Sequence, residues 1–292
     1  MNIVSREPIL KGWSNDRKYR IADEKGERFL LRVSDAAEHD AKRSEFEMMR
    51  RVAALGIPMC LPVEFGVCEE GVYSIQSWID GEDAEERIPS FPDRQQYDYG
   101  LEAGRILRRI HSIPAPDTQE DWASRFNRKI DVKIRRYGEC PIQYPKGGSF
   151  IDYINANRHL LNGRPQSYQH GDYHIGNMMI GRNGKLYVID FNRNDFGDPW
   201  EEFNRIVWCA QKSQLFATGM VDGYFGGDIP MEFWKLLALY IASNTLSSVC
   251  WAIPYGEAEV KTMLNQAEDV MNWYAGMTRT VPTWYVRGAA EG

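Results

Sequence analysis

The sequence predicts an α+β fold in two parts: a small antiparallel sheet carrying one helix, then a larger, mainly helical part. Three observations predict it. Short runs rich in β-branched and aromatic residues, separated by turn signals, fill the chain up to about residue 80. From about Arg94 onward, apolar residues recur at helical spacing. Between them, "DGEDAEERIPSFPD" breaks both patterns with Gly, Pro and acids and reads as a linker. The expected domains are 1–80 and 81–292.

In the first part, "EPILKGWSNDRKYRIADEKGERFLLRVSD" predicts strands around 7–11, 17–22 and 27–33, the last two joined by "DEKG". From about Ala37 to Leu55 the chain has good helix formers, no Pro and a stop at "GIP". "LPVEFG" and "VYSIQSWI" add two strands. In the second part a helix is expected from about Arg94 to Ile113, where Leu101, Ala103, Ile106, Leu107 and Ile110 make a stripe before Pro114. Further helices are expected near 121–137, 149–161, 199–211, 231–252 and 256–275, with Trp208, Trp234 and Trp251 on their apolar faces as core.

Composition bounds the function. The 292 residues are 43% hydrophobic and 26% charged, ordinary for a globular protein. A formal charge of −6 argues against nucleic-acid or anionic-membrane partners and suits a cationic one. Five cysteines, none spaced as CxxC, read as buried reduced thiols in a cytoplasmic protein. No signal peptide is recognisable, and no stretch reads as a membrane span. Oligomeric state is not encoded in any readable pattern.

The helical part has one exception, "YQHGDYHIGNMMIGRNGKLYVIDFNRNDFGDP". Two apolar runs flank "RNG", and Asn-Gly is the strongest two-residue hairpin signal. A turn centred on Asn183 and Gly184 would set Asn177 opposite Asp190 at the hairpin's open end. An amide oxygen beside a carboxylate suits a hard divalent cation, above all Mg²⁺. Asp172, five residues before Asn177, adds a second carboxylate. Singly, such residues serve turns and caps; their joint spacing is the signal.

"HGDYHIGN" followed by "VIDFNRNDFGDP" resembles the aminoglycoside phosphotransferase family within the protein-kinase-like fold, with Gly171 and Asn192 where protein kinases carry Arg and Gly. The resemblance extends over nearly the whole chain. It implies a bilobal fold and an ATP- and Mg²⁺-dependent phosphotransferase. Asp172 would be the catalytic carboxylate, and Asn177 and Asp190 the metal ligands. His170 would brace the loop, and His174 is either structural or close to substrate. The third strand offers only Arg32 where the family uses a phosphate-binding lysine. Glu45 lies mid-stripe on the apolar face of its helix, whereas Glu47 faces water; Glu45 is therefore the expected partner of Arg32. Ser14 and Asn15, in "LKGWSNDRKY", are candidates to contact phosphate, although this turn is not glycine-rich. The Ser77 carbonyl and Ile79 amide are expected to bind the purine, which leaves ATP against GTP open.

The acceptor site belongs to the helical part. Asp195, Glu201, Glu202 and His174 are its candidates, and acids there favour a cationic, aminoglycoside-type antibiotic as the hydroxyl acceptor. Asp198 reads instead as a cap, as does His111. Two alternatives stand beside the antibiotic acceptor. One is a metabolic kinase acting on homoserine, choline, methylthioribose or a sugar; the other is an inactive nucleotide-binding protein.

Overall fold

The computed structural model describes residues 2–10, 16–286 and 288–289. Ser14 and Asn15 lie outside the described residues. In chain order the strands are β1 (Ile3–Ile9), β2 (Arg17–Asp23) and β3 (Arg28–Ser34), followed by α1 (His39–Ala53). Next come β4 (Pro62–Cys68), β5 (Gly71–Ser77), β6 (Gly81–Asp83), α2 (Ala84–Arg87), α3 (Asp93–Ile110), α4 (Trp122–Gly138) and α5 (Gly148–Asn157). The rest are β7 (Ser167–Gln169), β8 (Met178–Gly181), β9 (Leu186–Val188), β10 (Asp195–Gly197), α6 (Ile206–Lys212), α7 (Gln214–Phe225), α8 (Met231–Ala252) and α9 (Glu257–Trp273).

The chain divides into two compact units, 1–87 with 177–194, and 88–176 with 195–292. This differs from the expected division at residue 80 because the late hairpin joins the first unit. Gly81, Glu82 and Asp83 of β6 pair with Gly181, Ile180 and Met179 of β8. The Val188 amide donates to Pro58 at 3.1 Å. Such pairing is legible only once the chain has folded back on itself.

The first unit is an antiparallel sheet of order β1-β2-β3-β5-β4. Period-two alternation puts Ile21, Leu31, Val33 and Ile75 into one buried cluster. Helix α1 buries Phe46, Met49 and Val52, the stripe its spacing dictates. The turn before β3 is held by the Asp23 carboxylate, which accepts from the Lys25 and Glu27 amides at 2.9 Å each.

The second unit is helical around α8, whose Leu236, Leu237, Leu239, Ile241 and Leu246 are almost fully buried. The stretch Met231–Tyr255 is long and apolar enough to cross a membrane by length and composition, unlike the expectation from sequence. Of its most apolar window, 67% is buried inside the protein, which accounts for that apolarity. Helix α7 is unexpected. Its Gly219 and Gly223 meet Gly100 and Gly104 of α3 at backbone contact: a Cβ on Gly104 would lie 2.1 Å from the Met220 carbonyl oxygen. Residues 201–205, expected to be α-helical, form a 3₁₀ segment. Trp234 is core, but Trp251 is 42% exposed. Cys60, Cys140 and Cys209 are buried as expected, whereas Cys68 is exposed.

Replacing Gly104 by Val forces α3 and α7 apart. Equilibrium urea unfolding should show a loss of more than ~2 kcal/mol; a wild-type midpoint would show that the two helices do not meet so closely.

Candidate active site

Within the first unit the hairpin differs from the expected register by one residue. Met178 pairs with Val188, Met179 with Tyr187 and Ile180 with Leu186. The loop has three residues rather than two. The Gly184 amide donates to the Gly181 carbonyl at 2.8 Å, and Gly181 donates to Lys185 at 2.9 Å. Gly184 takes φ +74°, which closes the turn at no steric cost. Asn177 therefore faces Ile189, whose amide donates to the Asn177 carbonyl at 3.0 Å, and Asp190 follows one residue later. The expectation that Asn177 and Asp190 are direct cross-strand partners is thus corrected.

Asp190 makes up for that slip with its own backbone. It takes φ +67°, a left-handed conformation that costs a non-glycine residue roughly 1–2 kcal/mol. Its carboxylate accepts from Arg32 Nη1 at 2.7 Å and stays 37% exposed. Arg32 is only 5% exposed and also grips Asp16, itself 4% exposed, with Nε to Oδ2 at 2.9 Å. Asp16 accepts from Ser34 at 2.7 Å and from Lys42 at 3.0 Å. Burial alone would lower the Arg32 pKa, but Asp190 and Asp16 outweigh it and raise it. Burial likewise works against the charge on Asp16, yet Arg32, Ser34 and Lys42 hold its pKa below the ordinary value.

Glu45 and Glu47 divide as the helical wheel requires, with side chains 15% and 57% exposed. The nearest cation to the Glu45 carboxylate is Lys42 at 3.5 Å. Burial raises the Glu45 pKa against the pull of Lys42 and Arg32. Arg32, the expected partner, spends its short bonds on Asp16 and Asp190 instead. Ser77 ends β5, with its amide bound to the Leu61 carbonyl at 2.8 Å, and residues 78–80, including Ile79, leave the ladder.

Among the described residues no group of three or more His, Cys, Asp and Glu could hold a metal. Asp190 and Asn177 supply one carboxylate and one amide, short of a self-sufficient cage. That donor set fits Mg²⁺, which keeps waters and takes one or two carboxylates alongside substrate phosphates.

Within the second unit, β7 pairs with β10 and leads into the loop holding Asp172. Gly171 has φ +84°, which explains why glycine stands where protein kinases carry arginine. Glu202, 2% exposed, accepts from the Gly171 amide at 2.9 Å and so pins the loop from beneath. His170 is buried, and its Nδ1 accepts from the Asp172 amide at 3.3 Å. Arg205 Nε lies 3.2 Å from Asp172 Oδ1, and His174 Nε2 lies 3.7 Å from the same oxygen. Neither Glu202's bracing nor Arg205 was readable in the sequence; a buried acid and an arginine four residues from Glu201 carry no distinctive spacing.

The expected acceptor acids are not a bare acidic cleft. Asp195 pairs with Arg125 at 3.1 Å. Glu201 accepts from Gln169 at 3.2 Å, and Lys129 Nζ lies 3.8 Å away. Glu202 is enclosed beneath the loop. Asp198 is fully buried, bound by Arg164 at 2.8 Å and by the Tyr240 hydroxyl at 2.6 Å, and its Oδ1 caps the Trp200 amide at 3.0 Å, as expected of a structural residue. Beside these acids, burial first and Lys129 second push Lys133 down to about 7.

The family model for the phosphotransferase enzyme family (APH) matches residues 5–234. One similar solved structure is an aminoglycoside phosphotransferase in ternary complex with ADP and hygromycin B: 16% identity, TM-score 0.65, with 92% of this chain and 93% of that one covered. Another is an aminoglycoside 2'-phosphotransferase with GDP: 15% identity, TM-score 0.67, coverage 95% and 94%. A third is an amicoumacin kinase with AMP-PNP and Ca²⁺: 11% identity, TM-score 0.65, coverage 94% and 90%. These likenesses show the protein-kinase-like fold. A curated protein, small ribosomal subunit protein uS9m of Bos taurus, is 26% identical over 114 residues, 39% of this chain. The chain spans only about a quarter (27%) of that relative's length.

Lys133 gives the site a pH signature. Between about 7 and its ordinary 10.5 the unfolded chain holds a proton on this lysine that the folded chain has lost. Stability therefore rises with pH across that window, and the penalty is fully present below it. Lys133→Met should melt several degrees above the wild type at pH 6, and the gap should close toward pH 10. A gap equal at both ends would show that this ammonium is not desolvated.

Proposed function

Because the chain belongs to the phosphotransferase enzyme family (APH), we propose that it moves the γ-phosphate of ATP, with Mg²⁺, to a hydroxyl of a small molecule. The observation that carries this reading is Asp190. A carboxylate is raised at the end of a rigid hairpin by left-handed backbone, tied at one oxygen to Arg32, and still 37% exposed. That is a strained residue kept for presentation. Asp190 and Asn177 would hold the ion, which when bound supplies positive charge to the β- and γ-phosphates. Arg32 fixes the Asp190 carboxylate and meets phosphate only by exchanging a carboxylate partner. Glu45 and Lys42 extend the same charge network. The Ser77 carbonyl and Ile79 amide take the purine.

In the second unit Asp172 orients the acceptor hydroxyl and accepts its proton as oxygen attacks the γ-phosphorus and ADP leaves. Glu202 and His170 hold the loop that carries it. Two kinds of acceptor remain from the family, an aminoglycoside-type antibiotic and a metabolic hydroxyl compound. Asp195 and Glu201 already face Arg125 and Lys129, and Glu202 is enclosed, which favours the metabolic kind.

Asp172→Asn keeps the shape of the loop and removes its base. Turnover should fall ~10²–10⁴-fold while Mg-ATP affinity measured by calorimetry changes little; near-normal turnover would remove the assigned role. Asp190→Asn keeps an acceptor for Arg32 but loses the charge. Titrations with and without Mg²⁺ should show ATP affinity losing most of its metal dependence, and an intact dependence would refute the ligand assignment.

A further inference from the structure

Lys133 is out of place in helix α4. It falls on the same stripe as Trp122, Phe126, Ile130 and Tyr137, all of which are buried. Most of its side chain is enclosed, which is what lowers its pKa, yet the residue keeps partial access to solvent. Helix α8 lies alongside: Trp122 Nε1 donates to the Tyr240 hydroxyl at 3.0 Å, and the Cys250 thiol approaches the Arg136 carbonyl at 3.6 Å. Between those two contacts α8 abandons its apolar pattern with Asn244, Ser247 and Ser248, all half-exposed.

The charges around Lys133 do not balance. Lys133 makes no hydrogen bond or ion pair among the described residues. Lys129 and Arg205 repel it, and Glu201 is the single acid that acts on it. Glu201 is itself engaged by Lys129 and Gln169. Arg205, in turn, reaches Asp172 through Nε alone. Arg205 lies against Asp172 and Lys129 against Glu201, so with Lys133 next to both there are three cations for two acids, and a polycationic acceptor would add to the repulsion. Such a grouping is costly in the empty protein and is relieved by a ligand that brings an anion.

Resting on the phosphotransferase reading, we propose that the acceptor is a small hydroxy acid whose carboxylate is bound by Lys133, with Lys129 and Arg205 beside it. The amide of Asn244 and the hydroxyl of Ser248 offer neutral contacts for the acceptor's remaining hydroxyls. The site so assigned selects for a negative charge a few bonds away from the hydroxyl that is phosphorylated.

The full chain with Mg-ATP can be assayed for ADP release against glycerate, gluconate and homoserine, and against choline, ethanolamine and kanamycin. Turnover should concentrate in the carboxylate-bearing compounds. Lys133→Met should raise KM for the best of them at least tenfold, Lys133→Arg should restore most of it, and the Kd for Mg-ATP should stay within twofold. Turnover confined to the cationic compounds, or an unchanged KM in Lys133→Met, overturns the proposal. So does an equal loss of ATP affinity, which would assign the cations to the donor's phosphates. Wild-type protein that binds no Mg-ATP defeats the phosphotransferase reading instead. Gluconate titration of the wild type with ¹³C-methylated lysines then decides separately: a saturable shift of the Lys133 signal supports the anion subsite, and its absence overturns it.

Discussion

The first unit depends on one buried guanidinium. Arg32 joins Asp16, just before β2, to Asp190, which lies 158 residues beyond Arg32 in the chain. Apolar packing could close the sheet without it, but the Arg32–Asp190 ion pair ties the sheet to the late hairpin through charge. Removing one member of such a buried cluster typically costs ~3–5 kcal/mol, because the remaining charges stay desolvated. The same bond that secures the hairpin also aims the carboxylate on which the phosphotransfer reading rests, so stability and function share a residue here.

That sharing gives a physical reason for an arginine at this place on β3. A lysine offers a point charge on a flexible stem, suited to reaching one phosphate. A planar guanidinium can hold two carboxylates at once, and Arg32 does so while nearly excluded from water. Its bonding is that of a brace.

The second unit is organised differently. The loop that carries Asp172 is pinned from below by Glu202, which receives the Gly171 amide, while Asp198 is locked by Arg164 and Tyr240. Acids that look alike in the sequence therefore take separate duties according to depth. The buried ones hold backbone and the half-exposed ones pair with α4. Arg205 lies 3.2 Å from Asp172 and Lys129 lies 3.8 Å from Glu201, and the proposed preference for an anionic acceptor rests on these cations.

The sequence by itself determined the elements whose signal is local. Good helix formers with a stop at "GIP" placed α1, periodicity placed α3, α4 and α8, β-branched and aromatic runs between turn signals placed β2, β3 and β5, and the wheel of α1 separated Glu45 from Glu47. The spacing of Asp172, Asn177 and Asp190 pointed to the family, because that signal lies in the order and separation of a few residues rather than in overall identity, which is 11–17% to the solved structures. Only the tertiary structure decided that the hairpin loop has three residues, that Asp16 and not Glu45 takes the short bond to Arg32, that Glu202 lies beneath the loop, and that Lys133 has no ion-pair partner among the described residues. The reason is that a pattern along the chain reports which face of an element is buried, whereas the partner of a charge is fixed by segments far away in sequence, and a one-residue change in a turn shifts every pairing beyond it.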